Sequence, residues 1–495
     1  MQFLQEIIGL SYIHFYPTVE NFLPQGAKNQ QLYKAIRDGE VTTDQEASRL
    51  IYGSDSAGKK YTMLKQRLKQ QVTNNYFRLL SKTSEVSPAS LQRRLDYLKQ
   101  LTIVHTLMGQ GRYSLARQLL YYQQKAAAAQ FDLFAVQEGL QLLRRIAGYQ
   151  GEKAAFRRFD TQFQQVARQT RRLQESQRHY ESVRLEHRRH LAPSAAVAKL
   201  AHQAVTQANQ GQQDEPHPII SFYERLLKLF TYFHQGELSR FRRLLFFQRQ
   251  QMKHHSPLTA YDPLADADLL TMEYLTVQHP KNQSEVVQQA IYGSQDESLP
   301  AAARLALREI ECIHWLRMAE YRRAEQVCEQ LKTETEEETF LMPAHDQARW
   351  NLFHAYASYL LRSTQERATP ATTQRESMAA VEAAVQPLLT DASGYGWQWF
   401  ILKMLLWIED PTLSAKHFIR QIDAYARRHL PQQSLRGAEF FQGIRTVIAG
   451  QYRSKISSVD ELRLPAPSEQ DSLRELVSYE VLWESITIHS QIGQG

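Results

Sequence analysis

The stretch that most restricts what this chain can become runs from Glu152 to Leu191. Neither Pro nor Gly interrupts it, so one helix of about forty residues can form, roughly 60 Å long at about 1.5 Å per residue. Positions three and four apart read Phe156, Phe159, Phe163, Val166, Thr170, Leu173, Gln177, Tyr180, Arg184, His187 and Leu191. The first half is an apolar seam with a seven-residue period, and the second half keeps the spacing but turns polar. Polar groups without partners cannot stabilise a dry interior. The pattern therefore predicts that the N-terminal half is buried and that the seam leaves the body near Gln177. Arg178, Arg184, Arg188 and Arg189 would then face solvent, as a docking arm for an acidic partner protein. The alternative is a long structural helix packed along its neighbours.

A helix of that length needs helical surroundings, and the composition supplies them. Gln, Arg, Leu and Ala, all good helix formers, are abundant, while 20 Gly and 17 Pro in 495 residues disfavour a loop-rich or all-β chain. Turns punctuate the sequence from about Leu91 onward. Gly111 to Ala116, Gly236 to Phe241, Ala319 to Ala324 and Gly450 to Tyr452 each begin with a small residue and carry an aromatic or Leu two positions later. His279-Pro280 and Asp410-Pro411 break the pattern in the same way. From Gly236 on, these points fall about 40 residues apart, as in stacked helical hairpins. One longer interval holds the polar loop 363–377. The fold class expected is all-α: an α-solenoid of antiparallel hairpins with one long helix and a small N-terminal helical module. The Gly-x-Tyr-x-x-Ala of Gly111, Tyr113 and Ala116, and the x-Tyr-x-x-Ala of Tyr321 and Ala324, resemble the tetratricopeptide-like repeats over residues 90–465. That resemblance implies a non-enzymatic scaffold whose curved surface binds another protein or peptide.

Three parts follow from this: a module over residues 1–85, a solenoid over 86–465, and a C-terminal capping helix within 466–495. In the first, helices are expected over Lys28–Arg37, from the capping box of Thr43 and Glu46 to Gly53, and from near Ser56 onward. The last has an apolar face of Tyr61, Leu64, Leu68, Val72, Tyr76 and Leu79, and a basic face of Lys59, Lys60, Lys65, Arg67 and Lys69. A short helix, a turn and a longer basic helix form the outline of a helix-turn-helix. A nucleic-acid-associated regulator is therefore the alternative function. This layout is similar to that of bacterial transcriptional activators with a winged helix before a tetratricopeptide-like domain, although no wing follows the third helix.

No His-Glu-x-x-His, Gly-x-Ser-x-Gly, phosphate-binding loop or dinucleotide-binding glycine pattern occurs. Glu311 and His314 have the spacing of a di-iron ligand pair but lack a second copy. His187 and His190 sit among arginines, which disfavour a cation. Neither a catalytic site, a metal nor a cofactor is expected. Cys312 and Cys328 fall on opposite helices of one hairpin and read as small core residues. With two cysteines, no secretory leader pattern and no apolar run long enough to span a bilayer, a cytoplasmic protein is expected.

Overall fold

Helix ends carry the architecture of this chain. In a computed structural model, residues 4–5, 8, 28–53, 58–80, 89–190, 193–209, 217–254, 262–276, 284–296, 299–336, 342–365, 378–388, 394–409, 414–430, 434–453, 464–467 and 475–492 are described. Among them there are twenty α-helices and no strand. The expected boundary near residue 85, the breaks at His279-Pro280 and Asp410-Pro411, and the loop beyond residue 365 lie outside the described residues.

Chain contacts divide the protein into two units, residues 1–123 and 124–495. The first begins with α1 (Lys28–Arg37), α2 (Asp44–Tyr52) and α3 (Lys59–Leu80). The side chain of Thr43 accepts from the backbone N–H of Glu46, whose carboxylate accepts from that of Thr43 in return, and Gly53 closes α2 in the left-handed region. Leu32, Tyr33, Ile36, Ala47, Tyr61, Leu68 and Val72 form the core of this module. Two further helices follow, α4 (Ala89–Gly109) and α5 (Tyr113–Ala129), the latter running across the division between the units.

The second unit is an α-solenoid. Its helices are α6 (Leu133–Tyr149), α7 (Lys153–His187), α8 (Ala195–Asn209), α9 (Pro218–Gln235), α10 (Leu238–His254), α11 (Pro263–Thr276) and α12 (Ser284–Gln295). Then come α13 (Ala301–Arg317), α14 (Tyr321–Glu336), α15 (Ala344–Gln365), α16 (Met378–Val385), α17 (Gly394–Glu409), α18 (Ala415–His429), α19 (Leu435–Arg453) and α20 (Tyr479–Ile492). Most helices that follow one another pack together, and α9, α11, α13, α15 and α17 also pack on one another in a row. This row is the core: Phe222, Phe230, Phe353, Tyr356, Tyr359 and Trp399 are all buried within it.

Five turns share one backbone solution. Gly111, Phe131, Gly151, Gly236 and Ala319 all have φ between 58° and 73°. In each, the next residue's N–H reaches back five positions to a helix carbonyl, as Glu237 does to Tyr232 at 2.9 Å and Glu320 to Trp315 at 2.9 Å. This is the Schellman closure, which satisfies carbonyls left open at a helix end. Glycine adopts that conformation without strain, whereas Phe131 and Ala319 hold it at a cost. The turn expected at Gly450 does not form, because α19 runs on to Arg453. Thr333 to Glu336 completes α14, where Glu334 takes both guanidinium nitrogens of Arg308 at 2.6 and 2.7 Å.

The long helix corrects the expected picture. It spans Lys153–His187, and its burial follows the apolar seam only in part. In the N-terminal half Phe159 and Leu173 are buried as expected, whereas Phe156 is 40 % exposed and Phe163 and Val166 are half-buried. In the C-terminal half, expected at the surface, Tyr180, Val183 and His187 are buried. The seam does not leave the body at Gln177. Its polar residues stay inside because helices far along the sequence bring partners to them.

The C-terminal segment is also internal. Leu476, Val477, Tyr479, Leu482 and Ile486 are buried. Trp397 donates to the Tyr479 hydroxyl at 3.2 Å, and Arg436 binds Glu475 and Glu480. The helix packs against α15 and α17.

Candidate functional site

The arginines of the expected arm separate into two groups. Arg178 is exposed, and Arg189 is exposed and pairs with Glu186 one turn earlier on the same helix. Arg184 and Arg188 face inward. The Arg184 Nε lies 2.6 Å from Asp268 of α11, which also accepts from the Tyr180 hydroxyl at 2.6 Å. Arg188 reaches Asp346 of α15 at 3.1 Å. Arg349 joins the network, its Nη2 lying 2.9 Å from Asp346 and 3.0 Å from Glu309. Tyr395 of α17 donates to Glu309 at 3.1 Å and accepts from Arg349 at 3.4 Å. Three arginines thus meet three carboxylates in one interior, so the charges balance without an external ligand. Burial alone lowers the Arg184 guanidinium, but Asp268, Tyr180 and Asp262 outweigh it and hold it above its ordinary value. For Arg188, burial and then neighbouring Arg349 win, and its affinity for the proton falls.

Beside this network lies a histidine pair. His187 Nδ1 is 3.0 Å from His234 Nε2, and His234 Nδ1 accepts the backbone N–H of Ser194 at 3.0 Å. The Ser194 bond fixes the tautomers: His234 carries its proton on Nε2 and gives it to His187 Nδ1, and both rings are neutral. Burial, reinforced by nearby Arg184 and Arg188, takes the His187 imidazolium down to about 3. His234 is lowered as well, by burial first.

A second feature of this unit is a groove between α14, α15 and α16, with a volume of about 290 Å³. Leu331, Trp350 and Val381 give it an apolar lining, and Lys332, Gln347 and His354 give it polar groups. Trp350 is 5 % exposed, and its indole N–H has no acceptor. A buried donor left open costs roughly 1–3 kcal/mol.

In the first unit the basic face of α3 is real but incomplete. Lys59, Lys60, Arg67 and Lys69 are exposed. Lys65 turns inward to Asp44 at 2.8 Å, and Tyr61 donates to the same carboxylate at 2.8 Å. Lys65 is therefore an anchor between α2 and α3 rather than part of an outward face.

The remaining candidates are packing residues. His314 meets the rings of Tyr274 and Trp315 edge-on, and Glu311 accepts weakly from Trp315 at 3.4 Å. Among the described residues no group of three His, Cys, Asp or Glu side chains is placed to hold a metal ion. Cys312 and Cys328 are free and buried, with their sulfurs 3.7 Å apart across α13 and α14. No described helix is long and apolar enough to cross a membrane.

Sequence reasoning missed Asp268, Glu309 and Asp346, although a signal existed for the first two. Asp268 and Glu309 are acids within helices whose neighbours are largely buried, and an acid there requires a cation. The groove had no comparable signal, because its lining comes from three helices. No family model matches the chain, and no curated protein or solved structure is significantly similar to it.

Proposed function

We propose that the chain is a non-enzymatic, tetratricopeptide-like scaffold that binds an extended segment of another protein in the groove between α14, α15 and α16. The observation that carries this is an apolar-lined groove whose wall includes Trp350, a buried donor without an acceptor. A peptide offers backbone carbonyls for that donor and side chains for Leu331 and Val381. Ligand grooves commonly combine an apolar lining with a few fixed polar groups. The interior Arg–carboxylate and His–His contacts support a non-catalytic reading, because those groups are spent on one another.

Trp350→Phe tests the proposal, since it removes the donor and keeps most of the ring. Partner peptides would be found by photocrosslinking from a probe residue at Lys332 in cells. Binding of such a peptide by Trp350→Phe should weaken about 5- to 10-fold, the worth of one hydrogen bond. Stability should hold or rise, because an unpaired buried donor is gone. Crosslinks that survive Val381→Trp, which fills the groove, would overturn the proposal.

A further inference from the structure

The chain's charge is divided between its two units. Residues 1–123 hold 16 Lys and Arg against 9 Asp and Glu, a surplus of seven equal to that of the whole chain. Residues 124–495 hold 43 of each. The solenoid is neutral, and the net positive charge belongs to the N-terminal unit alone. Asymmetry of this kind points to a polyanionic partner for one part of a chain.

Within that unit α3 concentrates the effect. Its 22 residues include no Asp or Glu. Its inner face is fixed: Tyr61, Leu68 and Val72 are buried, and Lys65 and Tyr61 are both held by Asp44. The outward face presents Lys59, Lys60, Met63, Gln66, Arg67 and Gln70, all exposed. These lie three and four apart and make one stripe of cations and amides over three turns. Three nearby acids are occupied locally. Asp38 pairs with Arg37, Asp44 with Lys65, and Glu46 accepts from the backbone of Thr42 and Thr43. Two lysines in the first turn add to the positive end of the helix dipole.

We infer that the outward face of α3 binds the major groove of duplex DNA, with Lys59, Lys60 and Arg67 on phosphates or guanine edges and Gln66 and Gln70 within reach of bases. The choice of duplex DNA rests on the side chains present. An α-helix fits the major groove of B-form DNA, and Arg, Lys and Gln read guanine and adenine there. The corresponding groove of duplex RNA is too deep and narrow for side chains to read. Single strands are held by stacking on aromatics, and the outward stripe of α3 has none. The α2–α3 succession, a capped short helix followed by a longer basic one, matches the helix order of a helix-turn-helix.

The test is fluorescence anisotropy of the full chain with a labelled random-sequence duplex of about two helical turns, across about 50–200 mM salt. Binding should weaken steeply with salt. The triple variant Lys59→Ala, Lys60→Ala, Arg67→Ala should bind at least tenfold more weakly at the lowest salt. Its log–log salt slope should be shallower by about 0.9 for each phosphate contact removed. Arg243→Ala, Lys253→Ala, Arg428→Ala, which removes three exposed cations from the neutral unit, should bind as the parent does. Lys59→Arg, Lys60→Arg, Arg67→Lys should retain binding, and all three variants should keep the parent's helical circular dichroism. The inference fails if the parent does not bind at low salt or if the triple alanine variant binds as well as the parent. It fails equally if single-stranded DNA, duplex RNA or polyglutamate competes better than the duplex; the last of these would assign the face to an acidic protein.

Discussion

Arg188, at the end of the long helix, lies 3.1 Å from Asp346, 158 positions further along the chain. The pair joins α7 to α15 across the row of inner helices, and Arg349 shares the same carboxylate oxygen. It converts the polar half of a helix that looked solvent-bound into an internal strut.

Removing one member of this network should therefore be costly. Asp346→Ala leaves Arg188 and Arg349 without a shared anion in a buried setting, where breaking a pair costs about 3–5 kcal/mol. Arg178→Ala, on the exposed side of the same helix, should stay within about 0.5 kcal/mol of the parent. Urea unfolding of the two variants provides the comparison, and similar midpoints would show that the network contributes little.

The His187–His234 pair predicts a pH dependence with a definite sign. Both imidazoles have lowered proton affinity in the folded state, His187 to about 3. An unfolded chain takes up protons below about pH 6.5, whereas the folded pair does not. Stability is therefore complete above about 6.5 and falls as pH drops from there toward 3, by about 1.4 kcal/mol per pH unit for each histidine. Chemical denaturation at about pH 7 and pH 5.5 checks this, in a range where carboxylates scarcely titrate. In His187→Gln the dependence should flatten by one histidine's share.

Ala319 occupies the left-handed region at φ 60°. Ala319→Gly should stabilise the protein by about 0.5–1 kcal/mol, the relieved strain exceeding the added freedom of the unfolded chain. Gly236→Ala, at φ 73°, should destabilise by a similar amount. Thermal unfolding measures both, and equal shifts in one direction would contradict the turn geometry.

The thiols of Cys312 and Cys328 should be silent in the native protein. Burial pushes the Cys312 thiol well above its ordinary value, and the thiolate is the reactive form. Ellman's reagent should find both only after denaturation. Rapid reaction of either in the folded chain would show an opening of the α13–α14 hairpin.

Much of the fold was legible because it rests on local signals. The capping box of Thr43 and Glu46, the ends of α1, and the turns at Gly111, Gly236 and Ala319 depend on residues within a few positions of one another. Phe131 was not legible as a turn, since a bulky residue gives no hint of a positive φ. The long helix was found, but its environment was mistaken. Periodicity shows which residues share a face and not what covers it, and the cover for Tyr180, Arg184 and His187 comes from α9 and α11, far away in sequence. Trp350 lies on an inner helix, α15. Its open N–H depends on α14 and α16 and has no sequence signature.

The straps across the inner row also change how this unit comes apart. A plain stack of hairpins loses its end repeats one at a time, because each touches only its neighbours. Here α7 is bonded to α9, α11 and α15. From the other end, the Glu475 segment is bonded to Arg317 of α13 and Arg436 of α19, and Ser485 of α20 meets Tyr359 of α15. Peeling either end must break contacts near the middle. The unit is thus a closed mechanical loop, which resists fraying and then yields as a whole.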